Sequence, residues 1–186
     1  MPAPISEYVS QVTGTTPGRA WAAWGLIVAA AALLVGAVVL APLARAGGWP
    51  LLSELLYGSF RVACHQLPER AFRLAGSPLA VCARCTGLYA GTLAGLAAYP
   101  LVRPLGRTQA PWRGWLLLTA APTSVDFLLG VTGLWENTHA SRFWTALALG
   151  AAAAFYIVPG AVELGLRGAR RPGGAGAVAT LKLYQS

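Results

Sequence analysis

Acidic side chains are scarce in this sequence: Asp and Glu number 6 in 186 residues, against 14 Lys and Arg. All charged residues together make up 11%, where a water-soluble domain carries about a quarter. That shortage excludes an ordinary solvated surface over most of the chain. Lysine is nearly missing too, Lys182 being the only one, so the net charge of +8 is carried by arginine. No basic run interleaved with aromatics accompanies that charge, and nucleic acid is not an expected partner. The arginines stand between and beside apolar runs, where anionic headgroups and membrane topology account for them. The sequence also lacks a phosphate-cradling glycine loop, a G-x-S-x-G elbow and a C-x-x-C-H haem attachment site.

Hydrophobic residues make up 56% of the chain, and the mean hydropathy is +0.56. Four stretches are long enough to cross a bilayer as helices, which needs roughly 20 mainly apolar residues. They fall at about 20–44, 85–102, 114–135 and 143–162. The expected fold is all-α: a polytopic membrane protein with one four-helix domain over 20–166. It is flanked by an N-terminal tail (1–19) and a flexible basic C-terminal tail (167–186). Ala44-Arg45-Ala46 resembles a signal-peptide cleavage site, but the apolar run before it is longer than a signal core, so an uncleaved anchor is expected. Tryptophans near the span ends, among them Trp21, Trp49, Trp112, Trp115, Trp135 and Trp144, read as interfacial anchors.

Four crossings put both termini on one face. Arg19, Arg103, Arg107, Arg113, Arg167, Arg170, Arg171 and Lys182 share it, while Arg45, Arg61, Arg70, Arg73, Arg84 and Arg142 lie on the other. The surplus of positive charge favours cytoplasmic termini in the cell membrane. The segment from Arg45 to Arg84 is too long for a plain connector. Pro50 followed by Leu51, Leu52, Leu55, Leu56 and Phe60 predicts a short amphipathic helix on the membrane surface. In the second span Gly87, Gly91 and Gly95 recur every four residues on one helical face, predicting close packing on a neighbour.

The three cysteines all fall within one short segment. Cys82-Ala83-Arg84-Cys85 places two sulfurs one helical turn apart at the mouth of the second span. With Cys64 and one imidazole they match a tetrahedral zinc shell. His65 is the first candidate for the nitrogen. Its adjacency to Cys64 is awkward, since neighbouring side chains diverge, and His139 in the other loop on the same face is the substitute. Thiol redox chemistry is the rival reading, because a helix N-terminus and Arg84 favour the Cys82 thiolate. That layout is similar to the vitamin K epoxide reductase family, without its usual second loop cysteine, and it implies exchange with a lipid-soluble quinone. Inert thiols within a structural or accessory subunit are the third reading, so whether the chain is an enzyme stays open.

Asp126 interrupts the third span and lies about ten residues, roughly 15 Å along a helix axis, before Glu136. A carboxylate at such depth is expected to be paired or functional. Arg142 or Arg84 is its expected partner. Asp126, Glu136 and Arg142 are the candidates for lining a polar pocket that could receive a lipid-soluble small molecule.

The string Cys64-His65-Gln66, Pro68, Arg70, Phe72, then Cys82-Ala83-Arg84-Cys85-Thr86-Gly87, Tyr89 and Gly91 resembles a prokaryotic family of small predicted membrane proteins classed as a domain of unknown function. Asp126, Asn137, Arg142 and Thr145 resemble its second half, with Ala146 where glycine would be expected. The resemblance covers roughly Leu55 to Gly150. It implies a multi-pass membrane protein with grouped cysteines, and it supplies no activity.

Overall fold

The computed structural model describes residues 17–107 and 109–167. Its elements are α1 (Pro17–Ala46), α2 (Pro50–Phe60), a 3-10 turn (Pro68–Arg70), β1 (Arg73–Leu74), β2 (Ser77–Pro78), α3 (Ala83–Val102), α4 (Gly114–Val131) and α5 (His139–Arg167). Among the described residues, α1, α3, α4 and α5 are long and apolar enough to cross a membrane. Large apolar side chains such as Leu33, Leu117, Leu128 and Leu164 point outward, as a lipid-solvated bundle requires. The tails expected at 1–19 and 167–186 lie outside the described residues, except that 17–19 and 167 belong to helices.

The helices run a few residues past most of the expected span ends, and two ends near the site differ from the sequence reading. The third helix stops at Val131, four residues before Trp135, because Gly133 takes a left-handed φ of 70° and turns the chain. The Trp135 N–H then returns to the Leu129 carbonyl at 3.3 Å. The fourth helix begins at His139 instead of Phe143, because the Thr138 hydroxyl caps the Ser141 N–H at 3.0 Å. His139 is therefore the first residue of α5 and not a loop residue.

α3 is the hub, and glycine makes it so. A Cβ on Gly87, Gly91 or Gly95 would lie under 3.0 Å from the backbone of Phe143, Leu147 or Ala151 of α5. Gly150 of α5 approaches Leu88 and Thr92 of α3 in the same way. Only bare Cα positions allow two helix backbones this close, and the gain is dispersion contact along the whole seam.

α1 is hooked on through carbonyls that prolines release. Pro42 has no N–H for the Val38 carbonyl, which instead accepts the Ala80 N–H at 3.5 Å. Pro100 likewise frees the Leu96 carbonyl, and the Trp24 indole N–H of α1 donates to it at 2.8 Å. At the far end Tyr99, Leu96, Ala154, Val158 and Val162 form a core cluster against Ala20, Trp24 and Ile27.

The short helix α2 starts on Pro50 as the pattern predicts. Its buried Ser53 donates to the Ala41 carbonyl of α1 at 2.9 Å. Leu51 and Leu55 face outward, available to the membrane surface. The glycine seam sets the first test. Gly91→Val should destabilise the bundle by about 1–3 kcal/mol, read from unfolding in detergent, whereas Gly36→Val in α1, with open space around its Cα, should change little.

Candidate metal centre

The segment between α2 and α3 is built to bring Cys64 back to the C-x-x-C turn. After α2 the chain reaches Gln66, which adopts a left-handed φ of 53°. Its side-chain amide donates to the Tyr57 and Ala80 carbonyls, both at 2.7 Å. One glutamine thus clamps the end of α2 to the residue two before Cys82. The Tyr57 hydroxyl reaches the Pro78 carbonyl of the β1–β2 hairpin and closes the same loop. Gln66 was not among the site candidates read from the sequence. Its place beside Cys64-His65 was the only available signal.

The three sulfurs gather as a result. The Sγ atoms of Cys64, Cys82 and Cys85 all lie within 4.8 Å of one another, and all three are free thiols. Cys64 is buried, the other two are half-buried, and Phe60, Leu79 and Val81 pack around them. Cys82 stands at the N-cap of α3. Its own N–H donates to Cys64 Sγ at 3.3 Å. The neighbouring Cys85 thiol leads, with the Cys85 backbone, the Cys64 thiol and the Arg84 backbone assisting against burial, and together they bring the Cys82 thiol down to about 5. Donors aimed at sulfur stabilise thiolate whether it binds a metal or reacts as a nucleophile.

Neither imidazole joins this cluster among the described residues. His65 is exposed, because Cys64 turns inward and its neighbour must turn outward. The His139 ring packs on Phe72, with centroids 5.6 Å apart, and lines an open cavity with Phe72 and Arg73. The contact does show that the cysteine loop and the start of α5 share one face. Three protein sulfurs, not three sulfurs and a nitrogen, make up the candidate ligand set.

Asp126 is buried, and Arg84, set between the two α3 cysteines, is its ion-pair partner. The same guanidinium lies 5.4 Å from the Phe127 ring centroid. The Asn137 amide donates to the Asp126 backbone carbonyl. Arg142, the other expected partner, makes no ion pair with it, and Glu136 is exposed. Asp126 is also shallower than expected. With α4 ending at Val131 it sits only about 8 Å from the helix end, level with the first turn of α3. Buried Arg84 Nε and Asn137 Oδ1 have no hydrogen-bond partner among the described residues, which leaves polar capacity in this pocket.

Two outcomes follow. Asp126→Asn should cost on the order of 3 kcal/mol by leaving Arg84 unpaired, and adding Arg84→Gln should recover part of that loss in detergent unfolding. In metal-free protein the Cys82 thiolate should persist as pH falls until about 5. Alkylation of this residue, followed by mass spectrometry, should therefore stay fast at pH 6 and inflect near 5; an inflection near 8, as for an ordinary thiol, would contradict the geometry.

Known proteins place these residues in context. The family model described as "Predicted membrane protein (DUF2085)" matches residues 64–156, half the chain. That span starts at Cys64 and takes in all three cysteines, Arg84, Asp126 and Asn137, leaving α1 and α2 outside. An uncharacterised protein of Methanocaldococcus jannaschii is 37% identical over 111 residues, covering 60% of this chain and 71% of the relative. An uncharacterised protein of Methanothermobacter thermautotrophicus is 37% identical over 91 residues, covering 49% of this chain and 80% of the relative. No solved structure matches. With its four apolar helices and a family match running from the first cysteine across α3 and α4 into α5, the chain belongs to this family of predicted membrane proteins.

Proposed function

We propose that this membrane protein holds one zinc-like metal ion on Cys64, Cys82 and Cys85 at the membrane surface, beside a polar pocket formed around Asp126. The observation that carries the reading is the convergence of three sulfurs within 4.8 Å, one of them from a distant loop. A redox pair needs two thiols. A third, brought back by the Gln66 clamp and given a backbone donor of its own, matches what a metal shell requires. Three thiolates around a divalent ion carry a net charge of −1, and the Arg84 guanidinium is suited to offset it. Such a set is one ligand short of a tetrahedron, the arrangement used by zinc sites that bind an exogenous group. A lipid-soluble small molecule entering beside Asp126 would fit that role, and the arginine surplus favours an orientation with cytoplasmic termini.

Metal analysis of anaerobically purified protein tests this reading. Wild type should carry one equivalent, and Cys82→Ser/Cys85→Ser should carry none. His65→Ala and His139→Ala should keep it. Wild-type protein without stoichiometric metal under these conditions would sink the proposal.

The low-lying Cys82 thiol favours one second reading, a thiol–disulfide oxidoreductase. Cys82 and Cys85 would form a disulfide, passing two electrons and two protons to a quinone that becomes a quinol. Thiol trapping after incubation with a soluble quinone would separate the two, since all three thiols remaining free counts against the redox reading.

A further inference from the structure

At the end of the bundle opposite the cysteines lies a second cavity of about 570 Å³. It exists because α4 packs on α5 and hardly on α3. The Arg84–Asp126 pair holds α3 and α4 together at the cysteine end, and no ion pair among the described residues joins them here. The walls are Trp115 of α4 with Ala152 and Phe155 of α5. Tyr156 donates to the Trp112 carbonyl at 2.8 Å, which pins the α3–α4 connection over the cavity.

Two arginines line this cavity, Arg103 just past the end of α3 and Arg107 in the connection. No carboxylate lines it. Among the described residues Arg103 has one long side-chain hydrogen bond, to the Gln109 carbonyl at 3.4 Å, and that neutral acceptor does not compensate its charge. Arg107 makes no side-chain hydrogen bond or ion pair among the described residues. An apolar slot facing lipid, with paired positive charge at the level where a span ends, is complementary to one kind of bilayer molecule. An alkyl chain fills the slot, and a phosphate accepts the forked donors of arginine. The volume falls within the range of small-molecule sites and suits one chain, the rest of the lipid staying in the bilayer.

We propose that this cavity seats one anionic phospholipid, its phosphate on Arg103 and Arg107 and one alkyl chain along Trp115, Ala152 and Phe155. The site is independent of the metal centre and stands or falls separately from it. Native mass spectrometry of delipidated full-length protein, titrated with phosphatidylglycerol or phosphatidylcholine in equal amounts, tests it. Wild type should bind the anionic lipid at least about tenfold more tightly. Arg103→Gln/Arg107→Gln should remove that preference, Arg103→Lys/Arg107→Lys should keep much of it, and Arg113→Gln, a basic residue outside the cavity, should leave it intact. Equal binding of the two lipids by wild type overturns the proposal, and does so even where the double glutamine variant fails to fold. A loss in Arg113→Gln as large as in the double variant also overturns it, by showing diffuse attraction to a basic face.

Discussion

The close contact of α3 with α5 along Gly87, Gly91 and Gly95 is the constraint on which the rest depends. In a bilayer no hydrophobic force drives one apolar helix against another, so the tightest seam available sets the arrangement. Here the seam brings Phe143 against Gly87, two residues from Cys85. That contact fixes the start of α5 beside the mouth of α3. Phe72 then packs against both His139 and Phe143, which lays the cysteine loop over the junction. The mouth of α3, with Cys82 and Cys85, is thereby set beside α5, and the Gln66 clamp adds Cys64 to it.

Proline does the complementary work. In a membrane a carbonyl without a donor is costly, and each helix-interior proline creates one. Pro42 and Pro100 make that cost useful, because the released carbonyls of Val38 and Leu96 become attachment points for Ala80 and Trp24. One attachment lies two residues from Cys82, the other in the far core. α1 is thereby bonded to the segment just before α3 and to the far part of α3 itself, though it lies outside the span the family match covers. A helix with this much of its surface facing outward would otherwise have little to hold its register.

Around the sulfurs, charge and geometry reinforce each other. Cys82 stands at the N-cap position of α3, where the positive end of the helix dipole favours a thiolate. Arg84 cannot reach away from the site, because Asp126 holds it. The motif residue between the two cysteines therefore joins the sulfur cluster to α4, and the polar pocket and the candidate metal centre are one connected structure.

The sequence by itself determined the four spans, the short helix after the first of them and the glycine face. Each is a local matter of apolar run length, charge spacing or period. It also put Cys82 and Cys85 on one turn and singled out Asp126 as unusual. What it could not decide is which distant group comes opposite. Choosing Arg84 over Arg142 for Asp126 depends on where α4 ends, and Gly133 sets that end. Excluding His65 from the sulfurs depends on the inward turn of Cys64, and that turn is locked by Gln66 reaching Ala80, fourteen residues on. The proline carbonyls find partners 42 and 72 residues away. Such pairings are chosen by packing and by the need to satisfy every buried polar group, and only the tertiary structure contains both.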